Sequence, residues 1–103
     1  MTELLTRTYT DKAHNRMTVG YGATVCGVSI TSATYNGAVL TKRGVTLTMS
    51  DNEVEVEVNM SVGMNADEYR ELVKDMSTIA SMIERIERDI PTVAHAVNAL
   101  LLN

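Results

Sequence analysis

The sequence predicts an α+β fold: an antiparallel sheet of four or five strands, then a long C-terminal helix and a short terminal helix packed on one face. Three observations carry that reading. Residues 2–62 are rich in Thr and Val, with glycines spaced through them and no helical period. Within this stretch apolar and polar residues alternate at a period of two, most clearly from Val45 to Val62. From residue 65 the apolar period becomes that of a helix, so residues 65–102 read as mainly α. A chain of 103 residues suits one core and is short for two, so residues 1–103 are expected to form one domain.

The strands follow in order. Leu5 to Thr10 and Arg16 to Tyr21 can pair across the polar loop Asp11-Lys12-Ala13-His14-Asn15. Ala23 to Ile30 reads as a further strand, with Gly20, Gly22 and Gly27 marking bends or bulges. Asn36-Gly37 is a strong hairpin signal, because both turn positions need positive φ. Val45, Leu47 and Met49 then alternate with Thr46 and Thr48. After Ser50-Asp51-Asn52-Glu53 the alternation resumes through Val54, Val56, Val58, Met60 and Val62. A period of two places these Val and Met side chains on one face, and Glu55 and Glu57 on the other.

The helix has a defined start. Asn65 is a good N-cap, and Glu68 three residues later can return the hydrogen bond as a capping box. Tyr69, Leu72, Met76, Ile79, Ile83, Ile86 and Ile90 repeat at intervals of three and four, with Arg70, Lys74, Glu84, Arg85 and Arg88 off that seam. Pro91 is expected to end or kink the helix, since it lacks an N–H and disfavours helical geometry in Ile90. The following stretch, Thr92 to Leu102, reads as a short second helix, apolar nearly all round apart from His95 and Asn98.

Charge narrows the function classes. The formal net charge is −4, and the nine Lys and Arg residues form no run. A nucleic-acid binder needs a basic surface to displace phosphate counterions, so nucleic acid is the least favoured partner. No apolar run is long enough to span a bilayer, which argues against a membrane partner, and no basic-then-apolar signal segment opens the chain. One Cys excludes an intramolecular disulfide framework and fits a reducing, cytoplasmic setting.

No constellation points to catalysis, a metal or a cofactor. His14 and His95 are far apart in sequence, and Cys26 is the single thiol, so a zinc ligand set is missing. Nothing around Cys26 would lower its pKa, which makes it a buried inert thiol. Gly20-Tyr21-Gly22 lacks the strand-to-helix context of a phosphate loop. Glu53, Glu55 and Glu57 read as a solvated outer face that deters edge-to-edge aggregation.

The informative feature is surplus apolar surface on helical elements. Ile83, Ile86, Ile90, Val97, Leu100, Leu101 and Leu102 are the candidates for an oligomer or partner interface. The expected function is therefore a non-enzymatic interaction protein that self-associates through its C-terminal helices. It would act on a protein partner as an adaptor, inhibitor or assembly factor, in the manner of a small viral or mobile-element accessory protein. The alternative is a binder of a small anionic or nucleotide-like ligand, using Tyr9, His14, Arg16 and Tyr21 around the first hairpin. The run Gly44-Val45 through Val62-Gly63, followed by Asn65 and a helix, resembles the small alkaline-shock proteins of bacteria. The N-terminal half does not follow that family, and the resemblance carries over no functional residue.

Overall fold

A computed structural model of the chain describes residues 2–25 and 27–102; Cys26, expected to be an inert buried thiol, lies outside the described residues. Six strands, β1 (Leu5–Thr10), β2 (Arg16–Thr24), β3 (Gly27–Tyr35), β4 (Ala38–Val39), β5 (Val45–Ser50) and β6 (Glu53–Val58), precede one helix, α1 (Ala66–Leu102). The first four form an antiparallel sheet in the order β1-β2-β3-β4, and β5 and β6 form a separate two-stranded sheet. This is the expected α+β class.

Local chemistry sets each turn. In the β1–β2 loop, the Asp11 carboxylate accepts from the backbone N–H groups of Ala13 and Asn15, both at 2.9 Å, and from Asn15 Nδ2 at 3.0 Å. The Asn15 side-chain amide is the main reason this carboxyl sits below its ordinary pKa. His14 takes the left-handed conformation that closes the loop, with φ 66°. β2 and β3 are one hairpin, since Ala23 pairs with Val28 and Thr24 with Gly27. The expected strand from Ala23 to Ile30 is thus two strand ends joined by a reversal. Thr31 is the extra residue of a bulge, because Gly20 faces Ser32 while Tyr21 faces Ile30.

The second hairpin turns on Asp51 and Asn52 alone, with φ of 49° and 67°, the pattern of a type I′ turn. β6 stops at Val58, short of the expected Val62, because Asn59 begins a turn: its Oδ1 accepts from the Ser61 backbone N–H and hydroxyl. Its own N–H donates to the Gly44 carbonyl at 2.6 Å. Gly44 has φ 82°, and a Cβ there would lie 2.7 Å from the Asn59 carbonyl oxygen, so glycine is required. The expected Val and Met face divides between the two strands. Val45 and Leu47 of β5 are buried, whereas Val56, Val58 and Met60 are exposed.

α1 begins with the anticipated capping box. The Glu68 backbone N–H donates to Asn65 Oδ1 at 2.9 Å, and the Asn65 N–H donates to Glu68 Oε1 at 3.2 Å. It does not end at Pro91: a single helix of 37 residues runs through that position, so the expected short terminal helix is its last turns. The reason is the seam. Ile79, Ile83, Ile86, Ile90, Val93 and Val97 are all buried, and their three-four spacing continues past the proline unbroken. A helix-interior proline costs about 3 kcal/mol. Burying Ile90, Val93 and Val97 contributes about 1.5–3 kcal/mol each, which outweighs it. The seam packs on Met17, Val19, Tyr21 and Tyr35 of the sheet in one continuous core. Arg43, in the 3-10 turn before β5, ties that turn to the helix through Asp75 at 3.0 Å. No helix among the described residues is long and apolar enough to cross a membrane.

Candidate anion-binding site

β1 lies at an edge of the four-stranded sheet, and its inward register holds Leu5, Arg7 and Tyr9. Two apolar or aromatic positions flank an arginine there. Its partners across the ladder are Tyr21 opposite Leu5, Val19 opposite Arg7 and Met17 opposite Tyr9. Tyr9 is buried, and its hydroxyl donates to Asp89 Oδ2 on α1 at 2.7 Å. The Tyr21 hydroxyl lies 2.8 Å from the Tyr9 hydroxyl oxygen. Tyr9 has one proton and gives it to the carboxylate, so Tyr21 is the donor to Tyr9. Burial foremost, then these neighbours, raises the Tyr9 phenol far above its usual pKa, and burial likewise raises Tyr21.

Three guanidinium groups converge around this chain of hydrogen bonds. Arg85 stands over the Tyr9 ring, 5.8 Å from its centroid, and its Nη1 donates to the Thr10 carbonyl. Arg7 is half-buried, and its Nε is a buried nitrogen with no hydrogen-bond acceptor. Arg88, one helical turn beyond Arg85, is exposed. Together with Thr8, Tyr9 and Asp89, the three arginines line an open cleft of about 380 Å³ between β1 and α1. The two ion pairs among the described residues, Arg43–Asp75 and Arg70–Asp67, lie elsewhere. Three cations and one carboxylate therefore line the cleft in a chain whose net charge is −4, and the nearby Asp11 carboxylate feels the charge of Arg85.

Such an arrangement suits an anion. Guanidinium groups present planar forks that match carboxylate and phosphate oxygens, and half-buried ones are less screened than those in bulk water. The half-buried Asp89 carboxylate fixes Tyr9 and leaves the cation excess intact. A second depression, at the helix start, is lined by Lys42, Arg43, Glu68 and Glu71 with Val62, Gly63 and Met64. Its charges are balanced, and Arg43 is already engaged by Asp75. Among the described residues, no cluster of His, Cys, Asp and Glu could hold a metal ion.

The four ligand residues expected from sequence divide into two pairs rather than forming one site. Tyr9 and Tyr21 are buried against α1. His14 and Arg16 are at the hairpin tip, where they line a separate open depression with Thr10 and Asp11. The Arg16 backbone N–H is held by Asn36 Oδ1 at 2.8 Å. Of the seven expected interface residues, Ile83, Ile86, Ile90 and Val97 are buried within the chain, because the helix face carrying them packs on the sheet. Those four are corrected to core positions. Leu100, Leu101 and Leu102 are 48%, 57% and 87% exposed and remain available to a partner. Sequence reasoning missed Arg7, Arg85, Arg88 and Asp89. One signal was present: Arg7 occupies an inward position of an alternating strand, where a lone charge needs a reason.

Comparison of the chain with protein-family models, with curated proteins and with solved structures finds no match in any of the three.

Proposed function

We propose that this protein binds an anionic ligand, carboxylate or phosphate, in the cleft between β1 and α1. The observation that carries the reading is the convergence of Arg7, Arg85 and Arg88 with no carboxylate in ion-pair contact among the described residues. Folding alone gives no reason to gather like charges in this way, because their repulsion lowers stability unless an anion offsets it. Binding, rather than turnover, is the role proposed. The phenols of Tyr9 and Tyr21 stay protonated at neutral pH, so neither serves as a base. The residues differ from the four named from sequence, with only Tyr9 shared, but the class of ligand is the same.

Thermal unfolding against a panel of phosphates, di- and tricarboxylates tests the reading. A ligand at about 100 times its dissociation constant should add about 2.7 kcal/mol of stability. Arg88→Ala, at an exposed position, should abolish that gain without lowering the unliganded melting temperature. A panel that shifts nothing refutes the proposal.

Self-association is the second reading, now resting on Leu100, Leu101 and Leu102 alone. Leu101→Asp should then lower the mass measured in solution without unfolding the chain. A wild-type monomer at tens of micromolar ends that reading.

A further inference from the structure

The cleft opens onto main chain as well as side chains. In an antiparallel ladder, successive residues point their N–H and C=O groups alternately toward the neighbour and away from it. The Asp11 N–H donates to the Asn15 carbonyl, which fixes the alternation: Leu5, Arg7 and Tyr9 bond to β2, and Thr6, Thr8 and Thr10 point outward. The Thr10 carbonyl is taken by Arg85. The main-chain groups of Thr6 and Thr8 have no protein partner among the described residues. A stretch of open strand edge thus lies beside the three arginines.

We infer that the ligand of this cleft is an acidic peptide segment in extended form, which joins β1 as an added strand. This rests on the reading of the cleft as an anion site and names its occupant. A strand laid along β1 would pair with Thr6 and Thr8 through its backbone, and every second side chain would point to the α1 side of the sheet. Arg7, Arg85 and Arg88 wait on that side, so Asp or Glu at alternate positions would meet them. The intervening side chains would lie over the hydroxyl face formed by Thr6, Thr8 and Thr18.

Charge complementarity selects this occupant over others. An inward charge on an edge strand normally deters a second chain. With three cations gathered, the edge repels a basic strand and offers nothing to an apolar one. An acidic strand neutralises the cluster. A free small anion would use the arginines and leave the Thr6 and Thr8 edge untouched.

The test is amide hydrogen exchange on the full chain, with and without a capped peptide alternating Glu with Val, alongside titration with inorganic phosphate. Binding of the Glu peptide with slowed exchange at Thr6 and Thr8 supports the inference, provided a peptide alternating Lys with Val does not bind. Thr6→Pro removes one outward N–H at a position outside the cleft lining, where an edge strand tolerates proline. It should weaken the Glu peptide about tenfold and leave phosphate affinity unchanged. Should this variant not fold, the exchange measurement on the wild type decides alone. If phosphate binds but the peptide gives no protection at Thr6 and Thr8, the added-strand inference fails and the anion site stands. If a single-stranded oligonucleotide binds where the peptide does not, the occupant is wrong. If neither peptide nor any phosphate binds, both readings fall.

Discussion

The two outer strands β1 and β6 are each met by side chains of the same helix and treat their exposed edges in opposite ways. β6 carries Glu53, Glu55 and Glu57 on its outer face, and the N–H of Val54 is capped by Glu87 Oε2 of α1 at 2.9 Å. Like charges and a reaching carboxylate guard that edge. β1 carries Arg7 inward, with Arg85 and Arg88 above it, and leaves Thr6 and Thr8 open. One edge is acidic and tied to the helix, while the other is basic and unfilled. The difference teaches that the helix side chains flanking the seam are not interchangeable solvent contacts. Glu87 closes one edge of the structure, whereas Arg85 and Arg88 equip the other.

The largest expected effect lies beneath both edges. Ile86 is fully buried at the centre of the seam, and Ile86→Ala should cost about 2–5 kcal/mol in chemical denaturation. A smaller loss would mean that the edges do not share one support. Next comes the hydrogen-bond chain of the β1 side. Tyr9→Phe leaves the Tyr21 hydroxyl without its acceptor and Asp89 without its donor, at a cost of about 1–3 kcal/mol. On the β6 side, Glu87→Gln keeps an acceptor for the Val54 N–H and should change stability by less than about 0.5 kcal/mol. Equal effects of these two substitutions would erase the distinction between the edges.

The same asymmetry predicts a one-sided response to alkali. Both buried phenols have raised pKa values, so above about pH 10 the unfolded chain releases protons that the folded chain retains. Stability should therefore hold at neutral pH and fall as pH rises past that point. Tyr9→Phe should flatten the decline, and a slope unchanged by it would show that the decline does not come from this pair. The smallest effect on stability, about 0.5 kcal/mol or less, belongs to Glu55→Gln with Glu57→Gln. Its signature is aggregation instead, read by light scattering, because the β6 edge would lose its guard.

Much of the architecture was legible because period and punctuation agree. Asn65 and Glu68 announced the helix start, and the alternation from Val45 to Val56 announced a hairpin. Pro91 was misleading, since local preference there opposes a seam whose burial is decided by residues on distant strands. The same non-locality hid the site. Tyr9 is expected from the sequence as a ligand residue, but Asp89 and Arg85 reach it from 80 and 75 or so positions away along the chain. Nothing local marks them: Arg85 and Arg88 read as ordinary helix surface until the fold sets them beside β1. The four isoleucine and valine positions expected at an interface are core for the converse reason, since a sequence gives the apolar stripe but not its partner.

Isothermal titration of the wild type and Arg88→Ala with inorganic phosphate, at low and high salt, addresses the central claim most directly. The account predicts saturable binding to the wild type that weakens as salt rises, and loss of most of that affinity in Arg88→Ala with no drop in melting temperature. Binding that is indifferent to Arg88, or a wild type that takes up no anion at low salt, would contradict it.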